Sequence, residues 1–200
     1  MKILVFGASI AWGAFDAEVG GWVERLKTYF LSDYENTWVW VYNFSISGNS
    51  SRDILQYIEH DISKIMPIEK EELVIVFAVW INDSGYVWKS PNIPLSEFSK
   101  NFSNLLDISK KYAMQTFVLW LFPVDEDALN ASQRLLLSYQ NKNVSVYHDT
   151  LKKISREKDV EFIDLWNVIW LENLTDGLHP DSVWHKKIYE IVKDKLLEKI

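Results

Sequence analysis

Residues 73–83 read Leu-Val-Ile-Val-Phe-Ala-Val-Trp-Ile-Asn-Asp, an apolar run that ends in an amide and a carboxylate. Because no polar residue alternates with the apolar ones, a strand here would be buried on both faces, as in parallel sheets covered by helices. The runs that start at Ile3 and Phe117 have the same character. With Trp38–Phe44 and Val160–Leu165, they predict five strands.

Between these runs the apolar residues change to a helical spacing. The helical segments have apolar faces within residues 22–30, 54–65, 98–106, 144–154 and 184–196. A regular alternation of strand and helix predicts a parallel sheet with helices on both sides. No linker, repeat or low-complexity stretch divides the sequence, so we expect one α/β domain over residues 1–200.

The composition excludes several classes of function. The 200 residues are 48% hydrophobic and 24% charged, and 28 acidic against 21 basic residues give a formal net charge of -7. Without a basic patch, this balance argues against a nucleic-acid partner. The absence of cysteine excludes disulfides, zinc–thiolate sites and a cysteine nucleophile. Ten tryptophans predict an aromatic core or an aromatic-lined pocket.

The sequence offers no segment that suits a membrane or a secretory signal. No apolar run reaches the eighteen or so residues of a membrane span. The apolar run at the N-terminus ends at Gly7, which is too short for the hydrophobic region of a signal peptide. We therefore expect a cytoplasmic protein.

Small and polar residues follow the predicted strands. Ligands of open parallel sheets bind beyond the carboxyl ends of the strands, so these residues form the candidate site. They are Ser9, Ser45, Ser47, Gly48, Asn49, Asn82, Asp83, Asp125, Glu126, Asp176 and His179.

Three of these residues suggest nucleophilic chemistry. Asp176 and His179 can meet within a turn that Gly177 and Pro180 favour, so that the carboxylate fixes the imidazole tautomer and leaves Nε2 as a base. A helix-capping aspartate beside a surface histidine explains the same segment equally well. Ser9 is the natural proton donor to that base, although a helix N-cap is the commoner role of such a serine. A phosphate-binding loop is a third alternative, but neither of its glycine motifs is present.

Four blocks in order resemble the SGNH (GDSL-type) hydrolases. They are Gly-Ala-Ser9, Ser-Gly48-Asn-Ser, Ile-Asn82-Asp83 and Asp176-Gly-Leu-His179-Pro180. Together with the strand rhythm, the resemblance covers essentially the whole chain. It implies a three-layer α/β/α sandwich with a five-stranded sheet of flavodoxin-like order.

The same resemblance implies a function and its residues. Ser9 would be the nucleophile, His179 the general base and Asp176 the residue that orients His179. The N–H groups of Ser9 and Gly48 and the side-chain amide of Asn82 would form an oxyanion hole. The implied activity is hydrolysis of small to medium acyl esters through an acyl-enzyme, without a cofactor or metal. Thioesters and acetylated sugars are alternative substrates, and a non-catalytic small-molecule binding module is the alternative from another class.

Three residues depart from the family's pattern: Ala8 replaces an aspartate, Trp80 replaces a glycine and Trp184 replaces a small residue. If Trp80 faces the site, its indole would limit the length of the acyl chain or block the site. If it faces a helix, it would only fill core volume, and the same alternative holds for Trp184. We expect Trp12, Trp80 and Trp88 as substrate-binding residues, with Trp80 and Trp184 forming a wall that includes Trp12.

The remaining expectations concern single segments. Residues 84–91 are the candidate for a substrate-facing flap, and an ordinary surface loop accounts for them equally well. The acidic run at residues 125–127 is predicted to be a solvated loop rather than a metal site. Asp83 could brace the loop that carries Asn82. His60 and His148 are expected at the surface, and His185 in a structural role.

Overall fold

A parallel five-stranded sheet runs through the centre of the computed structural model, which describes residues 1–33, 35, 37–65, 72–120, 122–132, 136–168 and 171–199. The strands in chain order are β1 (Lys2–Gly7), β2 (Trp40–Asn43), β3 (Leu73–Ala78), β4 (Tyr86–Val87), β5 (Ser90–Pro91), β6 (Gln115–Trp120) and β7 (Glu161–Asp164). The five-stranded sheet has the order β2-β1-β3-β6-β7, while β4 and β5 form a separate antiparallel hairpin. The predicted flavodoxin-like order is therefore confirmed.

Helices cover both faces of the sheet. They are α1 (Ser9–Trp12), α2 (Trp22–Ser32), α3 (Ser51–Ile65), α4 (Ile81–Ser84), α5 (Leu95–Tyr112), α6 (Glu126–Ser132), α7 (Asn141–Glu157) and α8 (Ser182–Leu197), with a 3-10 turn at Leu171–Asn173. The apolar sides of α3, α5 and α7 form one core with the sheet, and those of α2 and α8 form a second core on the opposite face. Within the described ranges, none of these helices has the length and apolar character needed to traverse a bilayer.

The strands differ from the predicted runs mainly at their ends. Strand β3 stops at Ala78, so Val79 and Trp80 lie beyond the sheet although the apolar run continues through them. The run at Phe117 corresponds to β6, but Leu121 lies outside the described residues. The apolar bridge predicted over residues 166–171 likewise includes residues 169 and 170, which lie outside the described part of the chain.

The register of the central strands brings their carboxyl ends to one level. Strand β1 pairs with β3 along its whole length, from Lys2 opposite Leu73 to Gly7 opposite Ala78. The loops that follow these two strands therefore begin side by side. Ser9 and Asn82, which follow β1 and β3, start from the same edge of the sheet.

The connection between α1 and α2 is organised around the buried carboxylate of Asp16. This carboxylate accepts hydrogen bonds from the N–H groups of Glu18, Val19 and Gly21 at 3.0–3.3 Å. The guanidinium of Arg25 lies 3.0 Å from it and also donates to the carbonyl of Ser182 at the start of α8. Burial alone would raise the pKa of Asp16, but these bonds and one from Ser182 lower it from 3.8 to about 2.

This network predicts a loss of stability in acid. Because its pKa is depressed in the folded state, ionised Asp16 contributes about 2 kcal/mol above about pH 4, and this contribution disappears as the pH falls towards about 2. The free energy of unfolding of Asp16→Asn should therefore vary less with pH over this range than that of the wild type. Urea unfolding at several pH values measures the difference.

The matched control is Glu18→Gln, because Glu18 is exposed and lies 3.5 Å from Arg25. Its pH dependence should follow that of the wild type. Parallel curves for the wild type and Asp16→Asn would show that the Asp16 carboxylate does not supply this stability.

Candidate active site

Three side chains form a hydrogen-bonded line at the carboxyl edge of the sheet. The hydroxyl of Ser9 lies 2.8 Å from Nε2 of His179, and Nδ1 of His179 lies 2.8 Å from a carboxylate oxygen of Asp176. The other oxygen of Asp176 accepts the N–H groups of Leu178 and His179. Asp176 therefore holds both the turn and the imidazole, while the cap of α8 is Asp181.

The carboxylate fixes the tautomer of the imidazole. Burial opposes ionisation of Asp176, but hydrogen bonds from the side chain and backbone of His179 outweigh it and keep the pKa of Asp176 below its usual value. An ionised carboxylate accepts a hydrogen bond and cannot donate one. Nδ1 of His179 therefore carries the proton, and the lone pair of Nε2 faces the Ser9 hydroxyl.

Ser9 is held close to the sheet by a glycine. A Cβ on Gly7 would lie 2.4 Å from Cβ of Ala11 and 2.7 Å from Oγ of Ser45, so no larger residue fits where α1 approaches the strand. Ser9 is the first residue of α1, and the cap position belongs to Ala8, which makes no side-chain cap. The alternative of an N-cap serine is therefore wrong. The hydroxyl of Ser9 instead forms a hydrogen bond with Nε2 of His179.

Gly48 and Asn82 lie at the same cavity as Ser9. Gly48 has φ +89°, and a Cβ built on it would meet no described heavy atom within 4 Å. Glycine is thus needed there for the left-handed backbone rather than for a close approach within the protein. The side chain of Asn82 is buried and donates to the carbonyl of Asn49 at 2.9 Å. An amide nitrogen has a second N–H, which remains for a ligand.

Asp83 connects the segment that carries Asn82 to helix α3. Its carboxylate is fully buried and accepts both the N–H and the hydroxyl of Ser51, the first residue of α3. Asn101 of α5 donates to the same hydroxyl at 3.2 Å. Burial raises the pKa of Asp83 to about 7. The residue next to Asn82 thus ties α4 to α3, as the sequence suggested.

The site opens into a cavity of about 730 Å³ with an apolar rim. Trp88 at the tip of the β4–β5 hairpin is 94% exposed and Leu136 is 98% exposed, although both line the cavity. The remaining lining residues are Ser9, Ser47, Gly48, Asn82, Val87, Asn92, Leu137, Tyr139, Leu178 and His179. The segment predicted as a flap therefore does face the candidate site.

Comparison with known proteins identifies the family. The model of the GDSL-like lipase/acylhydrolase family matches residues 3–192. The chain belongs to the GDSL-like lipase/acylhydrolase family. A GDSL esterase/lipase of Arabidopsis thaliana is 26% identical over 98% of this chain, which spans 63% of the length of that relative.

Solved structures share the GDSL fold. A lipase/acylhydrolase from Enterococcus faecalis superposes with a TM-score of 0.77 at 19% identity, covering 98% of this chain and 94% of the other. An acetylxylan esterase from Geobacillus stearothermophilus gives a TM-score of 0.73 at 19% identity, with coverages of 97% and 93%. These similarities confirm the three-layer α/β/α fold.

The tryptophans that depart from the GDSL pattern do not form the expected wall. Trp80 is 1% exposed and packs against Phe77, Phe98 and Phe102, with ring centroids 4.8–6.1 Å apart. It fills the interface between β3 and α5, because the chain turns into α4 after β3 ends. Its assignment to the substrate pocket is therefore wrong, and so is the idea that it blocks the site.

Trp12 and Trp184 are also separate from the cavity. Trp184 is buried in the core formed with α2 and α8, on the face of the sheet opposite Trp80. Trp12 is exposed, and neither it nor Trp80 is among the described residues that line the cavity. Of the three tryptophans expected to bind substrate, only Trp88 lines the cavity.

Phe15 contacts the candidate base, a contact that no pattern in the sequence indicates. Its ring centroid lies 5.2 Å from that of His179, and its backbone has φ +66°. The preceding carbonyl, of Ala14, accepts a hydrogen bond from Nε2 of His185, and Asp16 follows directly. His185 is thus structural, as expected, since it holds the loop that presents Phe15 to His179.

The other expectations have mixed outcomes. His60 is exposed as expected, but the surface position predicted for His148 is wrong. His148 is buried among Trp120, Phe162 and Trp166, and its ring nitrogens face two carboxylates. The loop predicted at residues 125–127 is wrong for Glu126 and Asp127, which lie in the first turn of α6. Among the described residues, no group of three His, Asp or Glu side chains could hold a metal ion.

The packing of Trp80 predicts its effect on stability. Trp80→Ala should lower the free energy of unfolding by roughly 3–5 kcal/mol, because it leaves a large cavity between β3 and α5. Trp12→Ala is the control, since Trp12 is exposed, and should change it by less than about 0.5 kcal/mol. Urea denaturation measures both. Equal, small effects would contradict this account of Trp80.

Proposed function

We propose that this protein is a serine ester hydrolase that cleaves small to medium acyl esters. The observation that carries the proposal is the hydrogen-bonded line Asp176–His179–Ser9 at a cavity that Asn82 also lines. A serine hydroxyl is a weak nucleophile until an adjacent base takes its proton, and this base lies within hydrogen-bonding distance. Family membership supports the same reaction.

In the first half of the reaction, Ser9 attacks the ester carbonyl while Nε2 of His179 accepts its proton. Asp176 stays ionised and stabilises the imidazolium that forms. The N–H groups of Ser9 and Gly48 and the free N–H of Asn82 donate to the oxyanion of the tetrahedral intermediate. The intermediate collapses to the acyl-enzyme when His179 returns the proton to the leaving alcohol.

In the second half, water replaces the alcohol. His179 takes a proton from this water as it attacks the acyl carbon, and a second tetrahedral intermediate uses the same donors. As it collapses to the carboxylic acid, His179 returns its proton to Oγ of Ser9, which restores the hydroxyl and the neutral imidazole. Each step uses groups of this chain, and no cofactor is required.

The apolar side chains at the rim of the cavity favour a substrate with an apolar acyl group. Val87, Trp88 and Leu136 expose large apolar surfaces beside the candidate nucleophile, where they gain little by packing within the protein. An acyl chain lying against them would bury these surfaces. An acetylated sugar is the alternative, because an acetylxylan esterase shares the fold. The binding-module alternative loses its basis, since Trp80 lies in the core.

The role of Ser9 is tested by its removal. Ser9→Ala should lower kcat for p-nitrophenyl butyrate on the order of 10⁶-fold, as in other triad hydrolases. The fold should remain, because the Ser9 side chain caps no helix. A fluorophosphonate probe should label the wild type and not the variant. Wild-type turnover in Ser9→Ala, or an unlabelled wild type, would refute the proposed mechanism.

The role of Trp88 is tested by acyl chain length. Trp88→Ala should lower kcat/KM for octanoate esters about tenfold and leave acetate esters within about twofold, because only the longer chain reaches the indole. The control is Trp12→Ala, since Trp12 is also an exposed tryptophan, and it should leave kcat/KM for both esters unchanged. Trp80→Ala should leave the ratio of kcat/KM for octanoate to that for acetate unchanged.

Two outcomes would change the substrate class. An equal loss for all chain lengths would show that Trp88 does not contact the acyl group. A kcat/KM for acetylated xylo-oligosaccharides far above that for every alkyl acyl ester would favour the acetylated sugar instead. The cytoplasmic location expected from the sequence stays a prediction.

A further inference from the structure

The amide of Asn82 is bonded on both sides, which fixes its orientation. Its nitrogen donates to the carbonyl of Asn49, and its oxygen accepts the hydroxyl of Tyr139, each at 2.9 Å. The carbonyl of Asn49 can only accept, so the side of the amide that faces it must be the nitrogen. The hydroxyl of Tyr139 is therefore the donor, and the oxygen of Asn82 is engaged by this hydrogen bond.

Tyr139 is itself held rigidly. It is buried, and its ring lies so close to Gly85 that a Cβ there would be 3.0 Å from a ring carbon. The preceding residue, Ser138, exchanges two backbone hydrogen bonds with Tyr86 of β4. The backbone of Asn82 is fixed as well, because its carbonyl accepts the side chain of Asn92 at 2.9 Å. The hydroxyl and the amide thus meet with little freedom on either side.

We propose that Tyr139 is a positioning residue of the oxyanion hole, acting through Asn82. The inference rests on the proposed function, since it assigns Asn82 an oxyanion that exists only during that reaction. Without the hydroxyl, the amide keeps one hydrogen bond to the protein and can rotate or admit water. When the hydroxyl of Tyr139 is present, the free N–H of Asn82 keeps its orientation towards the oxyanion. The hydrogen bond from this hydroxyl to the amide oxygen also polarises the amide and strengthens its N–H as a donor.

This role belongs to the transition state rather than to substrate binding. A hydrogen bond that strengthens as charge develops raises kcat, whereas one made equally to substrate changes KM. Tyr139→Phe keeps the ring that lines the cavity and removes only the hydroxyl. We expect kcat for p-nitrophenyl butyrate to fall about tenfold, the effect of one ordinary hydrogen bond, with KM within about twofold.

Tyr147→Phe is the matched control. Tyr147 is another buried tyrosine, and its hydroxyl donates to the carbonyl of Ile93 rather than to Asn82. Both variants lose one buried hydroxyl, so their stability losses should be similar, but Tyr147→Phe should keep the kcat of the wild type. A boronic acid, which forms a tetrahedral adduct with an active serine, should inhibit Tyr139→Phe about tenfold more weakly and Tyr147→Phe normally.

A double-mutant cycle with Asn82→Ala separates positioning from a general structural effect. If Tyr139 acts through Asn82, Tyr139→Phe should change kcat by less than about twofold once Asn82 is alanine. The same tenfold loss in both backgrounds, or a wild-type kcat and boronic acid affinity in Tyr139→Phe, would overturn the inference. If the wild type hydrolyses the ester and this turnover requires Ser9, the proposed function stands whatever the result for Tyr139. If the wild type shows no such turnover, the proposed function and the inference about Tyr139 both fail.

Discussion

The paired register of β1 and β3 is the constraint on which the site depends. Six consecutive residue pairs, ending with Gly7 opposite Ala78, bring the two strands to a common edge. Ser9 then lies two residues past one strand and Asn82 four past the other, so that the candidate nucleophile and the candidate oxyanion donor line one cavity. A slip of one residue would turn every apolar side chain of the strand to the opposite face and would separate these groups. The register that pairs β1 with β3 therefore also determines where Ser9 and Asn82 lie relative to each other.

The strands, the helices and most of the site could be predicted from sequence because each leaves a repeating or spaced pattern. Buried parallel strands are uninterrupted apolar runs, and the polar groups that follow them must gather at one edge. His179 is 170 residues from Ser9, and local spacing alone leaves a capping aspartate and a surface histidine as an equally good interpretation. The resemblance of four ordered blocks to the GDSL family is what associates the two residues.

Sequence could not predict which way a side chain turns once a strand has ended. Trp80 follows β3 by two residues, and its position beside Asn82 suggested the cavity, but the turn into α4 directs it between Phe98 and Phe102 of α5. The surface position predicted for His148 is wrong for a similar reason, since its burial depends on how α7 packs against the rings of Trp120, Phe162 and Trp166. No sequence pattern indicates a role for Tyr139, because it lies in a segment without periodicity. Its contact with Asn82 depends on the tertiary fold alone.

Two aromatic residues near the candidate catalytic groups have a strained backbone: Trp88 lines the cavity, and Phe15 contacts His179. Three non-glycine residues among those described have positive φ, and two of them are the aromatic residues Phe15 and Trp88. Such a conformation costs of order 1–3 kcal/mol for a bulky residue, so it persists only where the surroundings impose it. The loop of Phe15 is held by the Asp16 network on one side and by His185 on the other. Trp88 occupies a two-residue turn of the kind that favours glycine, while its indole is almost fully exposed. Phe15 contacts His179, and the proposed contact of Trp88 with an acyl chain would account for an indole that packs little within the protein.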